Sequence, residues 1–251
     1  MIPDAANAGV FTSTAFIALP LLVMGLALYA LLRSSKRRAA DVAVVAAAFA
    51  GWLAITGAAA ASGKVADFAA KPPLLPILVI IGMAGAVAFT RSRFGIAIVE
   101  QTPLCALIAF HAFRFLLELA MGHAAQQHVM PSVMSFAGYN FDIVTGATAL
   151  VLAYSLHRGH RNGWAPRWLV VAWNCMGLGF LIIVGGLAIA ATPMFEAFGP
   201  AQRNTWIAHV PFVWLPTVLV PAALAGHIMV FRKLGQLQRA NTAVSPTTST
   251  P

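Results

Sequence analysis

His111, Arg114 and Glu118 lie three and four residues apart in an otherwise apolar stretch, FHAFRFLLELAMGH. At about 100° per residue, these spacings place an imidazole, a guanidinium and a carboxyl on one stripe of a helix. A guanidinium can hold an anionic group through parallel hydrogen bonds, while an imidazole or a carboxyl can exchange protons. Each such residue costs ~2.5–3.5 kcal/mol to insert at the centre of a membrane helix, so the stripe should face a bundle interior. Two readings follow. Arg114 and Glu118 could neutralise one another as an i,i+4 pair that pins helices together, or the stripe could form a site around a buried charge.

The segment PSVMSFAGYNFD, beginning at Pro131, brings Asn140 and Asp142 to the same level. Asn140 suits a helix N-cap and Asp142 the first turn after it, so capping alone would explain both. Asp142 should also sit roughly 6 Å of helix rise above Glu118. His123, His128 and His209 fall near that depth, with Glu196 and Arg203 in the last outer loop and Trp214 as an apolar wall. Deeper in the membrane, His111, Asn174 and His227 are expected to form an inner polar cluster. His111 and His227 are also the candidate axial pair for a haem. A two-haem path would need His123 and His209 as well, but residues 111 and 123 lie about 120° out of phase on a helix.

These side chains need a scaffold of membrane helices. Of the 251 residues, 60% are hydrophobic and 9% charged, and the mean hydropathy is +0.81. A soluble domain carries roughly a quarter of its residues charged. The net charge of +9 sits in short clusters between apolar runs, which is a topology signal rather than a nucleic-acid-binding face. Cys105 and Cys175 fall inside apolar segments and imply neither a disulfide framework nor a zinc site.

Seven runs approach the ~20 apolar residues that a bilayer core requires: 14–32, 41–61, 73–90, 103–122, 141–156, 168–190 and 209–231. The fifth is the shortest. Twelve basic residues fall on one side of this arrangement: Arg33, Lys36, Arg37, Arg38, Arg91, Arg93, Arg158, Arg161, Arg167, Arg232, Lys233 and Arg239. The other side has three, Lys64, Lys71 and Arg203. The positive-inside rule then places the N-terminus outside and the C-terminus in the cytoplasm.

The expected organisation is all-α: a short periplasmic N-terminus over 1–13, a seven-helix transmembrane domain over 14–231, and a cytoplasmic tail over 232–251 that is disordered at its end. Residues 1–13 lack Lys and Arg, so the first span is expected to remain as an anchor. The alanine-rich second span and the glycines of the sixth (Gly177, Gly179, Gly185 and Gly186) read as packing faces.

The last span, HVPFVWLPTVLVPAALAGH, contains Pro211, Pro216 and Pro221. Pro216 and Pro221 free the carbonyls of Phe212 and Thr217, which in lipid require neighbours or a wet cavity. That favours a cavity wall over a kinked packing helix. A retinal protein is excluded, because its Schiff base needs a lysine inside the last helix and this span has none before Lys233.

At these residues the chain resembles a family of uncharacterised bacterial seven-helix integral membrane proteins. The resemblance rests on Arg114 and Glu118 (Arg-x3-Glu), and on Pro131, Met134, Phe136, Gly138, Asn140 and Asp142 (Pro-x2-Met-x-Phe-x-Gly-x-Asn-x-Asp). It continues through Pro211, Phe212, Trp214, Pro216, Pro221 and His227 in the last span. The family often carries Glu and Arg around that glycine where this chain has Ala137 and Tyr139, so no role for such a pair carries over. The resemblance implies a bacterial inner membrane and supplies no activity.

The leading expectation is a multi-pass protein that binds a small molecule or ion in a polar cavity open to the periplasm, as a transporter or sensor. Its candidate ligand-binding residues are Arg114, Glu118, Asn140, Asp142, His209 and Trp214. One alternative is an intramembrane enzyme on a lipid or isoprenoid substrate, with Glu118 or Asp142 as general acid. Against it, the chain has neither an HExxH string nor a nucleophile elbow. A third reading is an assembly subunit of a membrane complex or oligomer, in which the buried charges only lock helices together.

Overall fold

In the computed structural model, residues 3–34, 39–159 and 166–244 are described. Lys36, Arg37, Arg38 and Arg161, which entered the charge count, lie outside them, as do residues 245–251 of the tail. The described chain is helical, with no strand among the described residues. It runs α1 (Val10–Leu32), α2 (Ala39–Ala61), α3 (Leu74–Arg91), α4 (Arg93–Gln101), α5 (Leu104–Ala109), α6 (Phe113–Gln126), α7 (Asp142–Gly159), α8 (Arg167–Ala190) and α9 (Val220–Val244). A 3-10 turn at Phe110–Ala112 joins α5 and α6 into one span, Leu104–Gln126.

Among the described residues, six helices are long and apolar enough to cross a membrane. They carry Leu21, Ile80, Ile81 and Ile182 on exposed faces, as lipid-facing helices do. The helix of the expected fifth span, α7, is not among the six; its 18 residues include Asp142, His157 and Arg158. The spans differ in position within the bundle. Half of the apolar window in Leu104–Gln126 is buried, and 56% of that in Leu215–Thr242, against 17–28% in the others. These two are the central helices. The last packs on α3, α8 and α5, while α7 lies against α5, α6 and α8, and α1 against α6 and α2.

Several expectations are corrected here. Helix α9 continues to Val244, so the segment from 232 begins as helix. The alanine-rich α2 is the least buried of the apolar helices, with a narrow buried face at Val45, Thr56 and Ala60. Of the four α8 glycines, only Gly177 has a neighbour at packing distance. A short helix, α4, occupies the third connection, where the apolar pattern shows only a loop. Ser92 caps it by accepting hydrogen bonds from the Phe94 and Gly95 N–H groups at 3.2 and 3.3 Å. Arg93 ties it to Asp41 of α2 at 2.9 Å. From α9, Arg232 donates to the Thr90 carbonyl and Lys233 to those of Val99 and Glu100, satisfying the last turns of α3 and α4.

The prolines of the last span produce a π-helical turn at Leu215–Leu219 that leads into α9. Both freed carbonyls find donors. Phe212 accepts from the Leu215 N–H at 2.9 Å. Thr217 accepts from the indole Nε1 of Trp52, also at 2.9 Å, and Trp214 returns the contact by donating to the Leu53 carbonyl at 3.2 Å. The break is thus closed by a backbone N–H and by Trp52, with Trp214 adding a second contact to α2.

At the Gln126 end of α6, Gln127 accepts from the Gly9 N–H at 3.2 Å and the Thr12 hydroxyl at 2.7 Å. The Asp4 N–H donates to the His128 carbonyl at 2.9 Å. The first helix is therefore fastened to the end of the central span.

Candidate functional site

Arg114 is 1% exposed in the middle of the Leu104–Gln126 span, and everything polar nearby is arranged around it. The i,i+4 pairing with Glu118 does not form. Arg114 instead reaches across to α7, where Nε donates to Asp142 Oδ2 at 2.6 Å and Nη2 donates to Asp142 Oδ1. A planar fork matches a carboxylate in this two-pronged way, which a staggered neighbour on the same helix cannot offer. Nη2 also donates to the Gly177 carbonyl of α8 at 3.2 Å, and Nη1 lies 2.7 Å from His227 Nε2 of α9.

That last contact assigns the histidine tautomer. A guanidinium only donates, so Nε2 of His227 accepts and the ring proton sits on Nδ1. Nδ1 then donates to Asn174 Oδ1 at 2.7 Å, and Asn174 Nδ2 donates to the His227 carbonyl at 3.1 Å. The expected outer and inner tiers are therefore one network, joined by Arg114.

Toward the Gln126 end, Asn140 completes it. Its Nδ2 donates to Glu118 Oε1 at 2.7 Å and to the Met134 carbonyl at 3.1 Å, while its Oδ1 accepts from the Asp142 N–H at 3.0 Å. Asn140 thus does both jobs the sequence suggested: it caps α7 and positions an acid. Met134 is buried, and its carbonyl holds Asn140 in place.

Two side chains remain incompletely paired. Glu118 Oε2 and both ring nitrogens of His111 are buried without a hydrogen-bond partner, at 1% and 0% residue exposure. They account for three of the seven such side-chain atoms among the described residues, which makes this cluster their main concentration. The His111 ring lies 4.1 Å from that of His227, centroid to centroid, with the planes 36° apart, and Trp173 meets it edge-on at 5.4 Å. Two rings in that contact leave no room for a haem iron between their nitrogens, and both nitrogens of His227 are already engaged. The pair as arranged does not fit haem. Among the described residues, no three His, Cys, Asp or Glu side chains gather to hold a metal.

His209 and Trp214 are not part of this cluster. His209 is exposed at the chain's approach to the last span, and Trp214 is committed to the Leu53 carbonyl. Three participants escaped sequence reasoning. Trp173 encloses His111, and two glycines make space for the imidazoles. A Cβ on Gly177 would lie 2.5 Å from His227, and one on Gly226 would lie 2.7 Å from His111 Nε2. The available signal was adjacency, since Trp173 precedes Asn174 and Gly226 precedes His227.

Residues 72–235 match a family described as a domain of unknown function, DUF8737. The chain belongs to that family. No curated protein and no solved structure matches it. The DUF8737 segment covers more than half of the chain and runs from the approach to α3 into α9, so it contains every residue of the Arg114 network. Helices α1 and α2, including Trp52, lie outside it.

Chemically, the network is a fixed ion pair flanked by two different ends. A carboxyl lies toward the Gln126 end, and a stacked imidazole pair lies toward the Leu104 end. The Arg114–Asp142 pair lies between them.

Proposed function

We propose that the protein is a seven-helix protein of a bacterial inner membrane, with the N-terminus outside, that binds a small ion or molecule at the Arg114 network as a transporter or sensor. The asymmetry of the basic residues supports the orientation, with α7 as the fifth crossing. The family resemblance in the motifs supports the membrane. The binding reading rests on one observation: Glu118 Oε2 and the His111 nitrogens are buried without a close hydrogen-bond partner beside a fully paired Arg114. A device that only locks helices gains nothing from them, because each unsatisfied buried group costs about 1–3 kcal/mol.

The test is a thermal-shift screen in detergent against monovalent cations, inorganic phosphate and short carboxylates, comparing wild type with Glu118→Met and His111→Phe. Binding at 100 times Kd should stabilise the wild type by about 2.7 kcal/mol, and both variants should lose that response. His111→Phe should also be more stable than wild type without additive, whereas Glu118→Met also gives up the Asn140 hydrogen bond and should gain less. Variants that gain stability while every additive acts on them as on wild type would remove the binding reading. Native mass spectrometry of the same preparations would show whether a ligand co-purifies.

One observation favours a second reading, that of an assembly subunit. Arg114 is 1% exposed and held by four hydrogen bonds, a closed arrangement that also suits a purely structural pin.

A further inference from the structure

Glu118 presents a charge-balance problem that its neighbours do not solve. The guanidinium of Arg114 is matched by Asp142 through two hydrogen bonds, so the one positive charge in the network is already neutralised. An ionised Glu118 would leave the network with a net negative charge inside an apolar bundle, at 1% exposure. Burying an unpaired charge is far costlier than burying a neutral polar group. The groups facing it offer no second cation. Its own helix presents Arg114, already taken; the 3-10 turn before that helix presents His111, whose ring is stacked on His227; α7 presents Asp142, an acid; the segment before α7 presents Asn140; and α1, packed on the same helix, contains no charged residue.

The missing cation is not a metal ion. Asn140 turns its amide NH2 toward Glu118, and its oxygen is spent on the Asp142 N–H. A sodium or divalent ion needs several oxygen ligands, and here the nearest polar neighbour is a donor. A proton needs only Oε2 itself.

We propose that Glu118 is a proton-binding site and that the closed bundle holds a proton on its Oε2. This deepens the binding reading above by naming the proton as a ligand of the same site, and it rests on that reading. Loss of the proton would strand a carboxylate beside Asp142, so release is tied to movement of the 131–140 segment away from Glu118. The coupling gives the site a means of exchanging chemical potential: proton release on opening, proton uptake on closure.

The experiment is infrared spectroscopy of the full-length protein in lipid nanodiscs at neutral pH, as a difference between wild type and Glu118→Gln. Glutamine copies the shape and neutrality of a protonated glutamate, so the variant should fold. The expected result is a carbonyl stretch of a protonated carboxyl in wild type that shifts in D2O and falls to baseline in Glu118→Gln. If that variant does not accumulate, carboxyl-13C glutamate in a Glu100→Gln, Glu196→Gln background leaves Glu118 as the only labelled acid, and the same band should shift with the label. A spectrum without such a band in wild type overturns the proposal. A band that disappears when sodium replaces choline at fixed pH also overturns it, in favour of a sodium site. The readout is independent of the ligand screen. An absent band with an intact ligand response removes the proton and keeps the binding reading; a present band with no ligand response does the reverse.

Discussion

The protein contains two arginine–carboxylate forks that are alike in geometry and opposite in setting. Arg203 grips Glu196 through Nε at 3.1 Å and Nη2 at 3.0 Å, with the side chains 40% and 30% exposed. Arg114 grips Asp142 with the same two nitrogens, with side chains 1% and 7% exposed. Around Arg203 solvent can replace either partner, so that pair adds at most about 1 kcal/mol. Around Arg114 nothing can, and two further helices, α8 and α9, supply the other acceptors. Identical local chemistry becomes a surface clip in one place and an organising centre in the other, and burial alone makes the difference.

The largest effect should come from breaking the buried fork on one side only. Asp142→Ala leaves a guanidinium without its carboxylate and should cost ~3–5 kcal/mol, read as lost membrane accumulation and a lowered Tm. Replacing both partners, with Arg114→Met and Asp142→Leu, should recover most of that loss, because the uncompensated charge goes with the pair. A double variant no better than Asp142→Ala would show that the remaining acceptors, not the fork, carry the cost.

An intermediate effect tests whether a neutral donor in the bundle ranks between the two forks. Trp52→Phe removes the indole N–H from the Thr217 carbonyl that Pro221 frees, and should cost about 1–3 kcal/mol by thermal denaturation. The smallest effect is Glu196→Ala, about 1 kcal/mol or less, shrinking further at high salt because the exposed pair is screened. A loss from Glu196→Ala matching that of Asp142→Ala would break the comparison outright.

Much of this was readable in the residues. Apolar runs marked the spans, and the three-and-four spacing marked the stripe of His111, Arg114 and Glu118. Asn140 and Asp142 were picked out by their capping chemistry. The partner of Arg114 was not readable, because an i,i+4 neighbour is visible in one dimension while Asp142 is reached only through the packing of α6 on α7. The link from Arg114 to His227 was hidden for the same reason, and so was the merging of the two tiers. Trp52 sits in an alanine-rich helix with no polar company, so nothing in α2 announces its role. The signal lay elsewhere, in Pro221, whose freed carbonyl requires a buried donor from some other helix. The short α4 escaped because nine residues with charged ends resemble a loop in hydropathy, although Ser92 at its start is an ordinary cap.

The fastening of α1 to Gln127 sets an order of events during synthesis. The Thr12 hydroxyl and its acceptor are 115 residues apart in the chain. At about 5–20 residues per second, the ribosome needs roughly 6–23 s to supply that acceptor. Until then α1 can pack on α2, which follows it directly, but lacks the contacts that fix its end against the central span. A nascent chain arrested before Gln127 would leave that end of α1 unfastened, and one arrested beyond it would not.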